Sequence, residues 1–129
     1  MDYEQYPWPD DFVEGEVPPN DSIEATGIAF RLVKGGVPCA NDFVGHNKEP
    51  FVKKAPCTPS DFGTSMYREL RGIKSLQEVF KPLRKKKIAT GTLAPLHGQM
   101  SREADKYTHF ETWLRLNTGI ELHFKVLEE

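Results

Sequence analysis

Ten prolines divide this 129-residue chain and decide where regular structure can form. Each removes a backbone donor and biases the residue before it toward extended conformations. Prolines 7, 9, 18 and 19 fall in residues 1–24, which show no clean hydrophobic period, so this segment reads as an extended or draped arm. Prolines 38, 50, 56 and 59 break up residues 37–63. An irregular stretch of that length is either functional or mobile, or it is a packed connection pinned here by Phe43, Phe51 and Phe62. Pro82 and Pro95 stand where a helix and a strand should stop.

Between the prolines, periodicity predicts the elements. "TGIAFRLV" (26–33) alternates as a strand, with Ile28, Phe30 and Leu32 on one face and Ala29, Arg31 and Val33 on the other. "GTSMYREL" (63–70) suits a short strand or a helical turn. Leu76, Val79, Phe80 and Leu83 fall at i, i+3, i+4 and i+7, and Ser75 with Glu78 has capping-box spacing, which predicts one main helix over about 75–83. "KIATGTLAP" (87–95) reads as a strand. "THFETWLRL" and "IELHFKVLE" alternate around Asn117-Thr118-Gly119, which predicts a C-terminal β-hairpin over about 107–127. In that register Leu114 would face Leu122, Thr112 would face Phe124, Trp113 would face His123, and Glu111 would face Lys125. The expected fold is α+β: a single domain over 25–129, with an antiparallel or mixed sheet of four to five strands and one main helix, behind an arm over 1–24.

Charge is distributed unevenly. Residues 1–24 hold eight acids and no Lys or Arg, so the rest of the chain carries all seventeen basic groups against eleven acids, a formal +6. Opposite signs in two parts of a chain suggest an interaction tail or an arm folded onto its own domain. No apolar run approaches the ~18–20 residues of a membrane span. The first residues are acidic with no apolar signal core, so a cytoplasmic location is expected, with no membrane partner. Cys39 and Cys57 are then expected as reduced thiols. They form no close-spaced ligand pair with the four histidines, so no metal site is expected.

The common phosphate-cradling, dinucleotide-binding, serine-hydrolase and zinc-protease motifs are missing. Lys81, Arg84, Lys85, Lys86 and Lys87 could meet nucleic-acid phosphates, but without stacking aromatics nucleic acid is the weaker expectation as a partner. His109 stands two residues from Glu111, side by side on a strand, where a carboxylate can orient an imidazole for acid–base work.

Two resemblances accompany these residues. "FRLVKGGVPCANDF", "GTSMYREL" and "IATGTLAPLHGQM" in succession resemble a set of short uncharacterised bacterial proteins, a likeness that implies no activity. The order of elements also resembles the ADP-ribosyltransferase fold. That resemblance implies NAD as cofactor, with Arg31 binding its phosphates, Thr64-Ser65 shaping the nicotinamide pocket and Glu111 stabilising an oxocarbenium-like state, assisted by His109. The sequence departs from the family in two places: "GTS" replaces its Ser-Thr-Ser pattern, and His109 replaces the Glu or Gln that usually precedes the catalytic Glu by two.

The arm "DYEQYPWPDDF" (2–12) points to a different class of function. Tyr3, Tyr6, Trp8 and Phe12 are residue types that anchor interfaces, and Asp10 and Asp11 would steer them toward a basic surface. Two expectations result. The first is a small soluble protein-binding or accessory factor that contacts another protein through Tyr3, Tyr6, Trp8, Asp10, Asp11 and Phe12, without a cofactor. The alternative is a small NAD-dependent ADP-ribosyltransferase-like enzyme using Arg31, Ser65, His109 and Glu111.

Overall fold

The computed structural model describes residues 3, 5–48 and 58–127; Phe51 and Cys57 lie outside the described residues. The strands are β1 (Ile23–Glu24), β2 (Gly27–Val33), β3 (Thr64–Tyr67), β4 (Lys87–Leu93), β5 (Gly98–Met100), β6 (His109–Leu114) and β7 (Phe124–Val126), with one α-helix, α1 (Leu70–Val79). They form one curled antiparallel sheet in the order β1-β5-β6-β3-β2-β4-β7.

Each face of the sheet has its own apolar cluster. Ala29, Val33, Met66, Ala89, Phe110, Leu114 and Phe124 belong to the larger one, where Phe43 meets Phe124 with ring centroids 5.0 Å apart. On the other face Tyr67, Ile73 and Ile88 are joined by Phe30, Leu32, Leu70 and Leu76, so α1 lies across that side. β2 and β4 pair over seven positions, whereas β2 and β3 pair only at Phe30 and Tyr67, leaving the sheet open between them.

The expected sheet of four to five strands with a C-terminal hairpin is overturned. β6 pairs with β3 and β5, and β7 pairs with β4 at the other end of the sheet. Asn117 and Gly119 take left-handed φ values of 64° and 73°, and Ile120–Leu122 forms a 3-10 turn that uses up the residues expected to start a return strand. Alternation fixes which face of a strand is apolar but not which strand lies beside it. Phe110, Thr112 and Leu114 find Met66, Thr64 and Gly98 opposite, rather than Val126, Phe124 and Leu122.

The main helix is also displaced from its expected span of about 75–83. It begins at Leu70, and the capping-box serine sits inside it, with Ser75 Oγ donating to the Arg71 carbonyl at 2.9 Å. The earlier start rotates the packed stripe to Leu70, Ile73 and Leu76, leaving Val79 and Phe80 72% and 53% exposed. Gly72 allows this approach, because a Cβ there would lie 2.0 Å from the Tyr107 carbonyl oxygen.

The arm lies against the body. The Leu116 amide donates to the Pro7 carbonyl at 2.7 Å, and Arg115 Nη1 donates to the Tyr6 carbonyl at 2.9 Å. The Arg115 guanidinium sits 4.1 Å from the Trp8 ring centroid and 5.5 Å from that of Tyr3. Trp8 stacks on Phe12, which in turn meets Phe62 edge-on. No described helix is long and apolar enough to cross a membrane.

Candidate functional site

β3 and β6 place Ser65 opposite Glu111 and Tyr67 opposite His109. Side chains alternate along a strand, so these four share the face that carries α1. Their functional atoms meet at the Ser65 hydroxyl: Oγ is 2.9 Å from Glu111 Oε1 and 3.0 Å from His109 Nε2. A third element completes the cluster. The 3-10 turn His46–Lys48 is held by the His46 amide donating to the Gly63 carbonyl at 2.9 Å, and it brings His46 Nε2 to 2.8 Å from the same hydroxyl. Both imidazoles also approach Glu111 Oε1, at 3.3 Å from His46 and 3.1 Å from His109.

An ionised carboxylate can only accept hydrogen bonds, so Ser65 donates its one proton to Glu111, and both ring Nε2 atoms serve as donors around the shared oxygens. Burial pushes the Glu111 carboxyl up, but hydrogen bonds from His109 and His46, the attraction of His46 and the Ser65 hydrogen bond outweigh it and hold the group at about 2. Oε2 behaves differently from Oε1: it is buried and has no hydrogen-bond partner among the described residues. Gly63 makes room for it, because a Cβ at that position would lie 2.5 Å from Oε2.

This is not a serine-nucleophile relay. The Ser65 proton points at a carboxylate, and that carboxylate approaches the same imidazole nitrogens as the serine rather than the opposite ones. Asp105 Oδ2 is on the far side of His109 but stands 3.7 Å from Nδ1, beyond hydrogen-bond distance. The Tyr67 hydroxyl is pushed up by burial and by the nearby charges of Asp105 and Glu111.

A groove of about 450 Å³ leads to this cluster, lined by Tyr67, Leu76, Val79, Phe80, Tyr107 and His109 among others. The Tyr67 and His109 rings meet edge-on at its base with centroids 5.3 Å apart. The groove therefore has aromatic and aliphatic walls and touches the cluster at His109.

Of the residues singled out from sequence, Ser65, His109 and Glu111 come together. Arg31 adjoins them from the side: it follows Phe30 where β2 and β3 part, and donates to the Ser65 carbonyl at 2.7 Å and the Asp42 carbonyl at 2.6 Å. Tyr3, Tyr6, Trp8, Asp11 and Phe12 are partly buried in contacts with their own domain, while Asp10 is exposed. Cys39 is a free, exposed thiol. No group of three or more metal-ligating side chains that could hold an ion occurs among the described residues. Sequence reasoning misses His46: it lies in the irregular stretch, without periodicity, and only the tendency of long loops to carry function points there.

No protein-family model matches the chain, and no curated protein or solved structure is significantly similar to it.

Proposed function

We propose that this chain is a small NAD-dependent transferase of ADP-ribosyltransferase type, with Glu111 at the centre of its site. One observation carries the reading: a buried carboxylate is held ionised, its Oε1 bound by Ser65 and two histidines and its Oε2 without a donor among the described residues. A carboxyl group held at about 2 is a poor general acid or base near neutral pH. It is suited to act as a fixed negative charge, and such a preorganised charge stabilises positive charge developing on a substrate. An oxocarbenium-like sugar carries charge of that kind.

NAD, when bound, supplies an N-glycosidic bond whose pyridinium leaving group departs with the bonding electron pair. The chain's own residues fit that group in one respect: an aromatic groove meets the cluster at His109. In this proposal Ser65 fixes the carboxylate by donating to Oε1, and His46 and His109 fix it from either side. Tyr67, Tyr107 and Phe80 line the groove and limit water near the reacting carbon. Arg31 has a different part from the one the resemblance implies. Its bonds to two backbone carbonyls make it a brace for Ser65 across the open seam, rather than a phosphate ligand. The partner-binding reading draws less support, because Tyr3, Trp8 and Phe12 are engaged with Arg115 and Phe62 of the same chain.

The test is nicotinamide release from NAD by the wild-type protein and by Glu111→Gln, which keeps the shape and removes the charge. Loss of one preorganised charge-stabilising group lowers turnover by about 10²–10³-fold. Wild-type protein that neither releases nicotinamide nor binds NAD, or a folded Glu111→Gln variant with full turnover, overturns the proposal.

A further inference from the structure

The acidic arm packs against the loop that carries His46. Asp11 Oδ2 accepts a hydrogen bond from Asn47 Nδ2 at 2.5 Å, and Asp11 Oδ1 lies 3.6 Å from Lys48 Nζ. Asn47 and Lys48 are the two residues after His46 in the same 3-10 turn. The next arm residue, Phe12, packs edge-on against Phe62, with centroids 6.0 Å apart, and Phe62 precedes the Gly63 whose carbonyl accepts the His46 amide. The turn is thus held on its inner side by Gly63 and on its outer side by the arm. Gly45 allows close seating, because a Cβ there would lie 2.4 Å from the Phe62 carbonyl oxygen.

From this geometry we infer that Asp11 is a positioning residue of the site: through Asn47 and Lys48 it sets where the His46 imidazole meets Ser65 and Glu111. The inference rests on the proposed transferase reading for its catalytic consequence, but its structural content is independent of that reading. A three-residue 3-10 turn has too few internal hydrogen bonds to hold one geometry alone. Its side chains therefore take their orientation from whatever clamps its ends. Asp11 supplies both an acceptor for Asn47 and a charge opposite Lys48, and the 32% exposure of its side chain leaves this ion pair less screened than one at a fully open surface.

The arm accordingly has a role that partner capture would not require. It is tied to Arg115 and Leu116, which follow β6, and to Asn47 and Lys48 beside His46. One segment thereby links the strand that carries His109 and Glu111 to the turn that carries His46. Misplacement of a catalytic neighbour by about 1 Å can cost about 10²-fold in rate.

The experiment uses the full-length chain with ¹³C-labelled histidine and compares the imidazole resonances of His46 and His109 at fixed pH. Asp11→Asn is isosteric but turns part of the acceptor into a donor facing Asn47. It is expected to shift or broaden the His46 signals and leave those of His109 near their wild-type positions. The exchange Asp11→Asn with Asn47→Asp restores a donor–acceptor pair in the opposite sense, and it is expected to return the His46 signals toward wild type. Where wild-type protein turns over NAD, the single variant is expected to lose about 10-fold to 10²-fold in kcat with KM little changed, and the exchange to recover most of it. Unchanged His46 resonances in folded Asp11→Asn, or no recovery in the folded exchange variant, overturns the inference. A wild-type protein without NAD turnover overturns the transferase proposal instead and leaves the resonance comparison to decide the role of Asp11.

Discussion

Replacing Glu111 with Gln should cost stability as well as turnover, and the size of that cost follows from the site. The carboxyl is moved from its ordinary 4.5 to about 2. At about 1.4 kcal/mol for each tenfold change, the folded state gains about 3 kcal/mol from the ionised form over the neutral one. The sign is that of a depressed acid. The contribution is complete above the unfolded value near 4.5, and it is lost as pH falls through the folded value near 2. The glutamine amide stands in for the neutral carboxyl, so wild type should exceed Glu111→Gln by about 3 kcal/mol at pH 7. In a domain of this length that lowers the melting temperature by roughly 10 °C. Urea unfolding of both proteins at several pH values between 7 and 3 measures the gap directly. The gap should stay flat down to about pH 5 and then narrow. Equal stability at pH 7, or a gap that widens in acid, would refute the view that Ser65, His46 and His109 hold an ionised carboxylate.

Two other outcomes are expected. His97 is almost fully buried, accepts a hydrogen bond from the Ala94 amide on Nδ1, and is pushed down to about 4 by burial and by His123. The unfolded chain therefore takes up this proton first, and stability should fall as pH drops from about 6.5 toward 4, with a slope of up to about 1.4 kcal/mol per pH unit that His97→Asn removes. Trp8→Ala should destabilise the whole domain by about 1–2 kcal/mol in urea unfolding, because it removes the Arg115 contact and the stack on Phe12. An arm that served only to capture a partner would leave the unfolding midpoint where it was.

The elements are more legible in the sequence than their neighbours. Alternation in "TGIAFRLV" locates β2, and the short apolar run of "KIATGTLAP" bounded by Pro95 locates β4, whose neighbouring Ile88 and Ala89 are buried on opposite faces. The same signal misleads at the C-terminus. The alternating pattern sets Trp113 opposite His123, but it lies opposite Gln99, and its Nε1 donates to the Pro59 carbonyl at 2.9 Å. β6 is covered on both edges, so its charge and size match to the β7 segment is coincidental complementarity of a kind that short alternating strands readily supply. The start of α1 leaves no local mark, since Glu69 makes no side-chain capping bond to the helix. In the site, Ser65, His109 and Glu111 sit on strands, where spacing predicts which side chains share a face. His46 reaches them from a turn 19 residues before Ser65, held by tertiary contacts that no local pattern encodes.

The opposition between an acidic arm and a basic body becomes intelligible at particular atoms. Tyr3 and residues 5–12 meet the body where Asp11 faces Asn47 and Lys48, and where Tyr3 and Trp8 flank Arg115. The arm's prolines reduce the conformations it loses on docking, so a few contacts suffice to hold it. Asn47 and Lys48 follow directly after His46, and Arg115 follows directly after β6, so the contacts fall on segments adjoining the residues around Glu111. A free tail would need its aromatic side chains accessible, whereas a strut needs them seated beside the elements it connects. Trp8→Ala and Asp11→Asn separate the two consequences of seating. The first removes binding area at Arg115 and should act mainly on global stability. The second leaves that area in place and should act mainly on His46. If both substitutions lowered stability equally and neither moved His46, the arm would be a general clasp, and the cluster around Glu111 would owe its geometry to the sheet and the Gly63 contact alone.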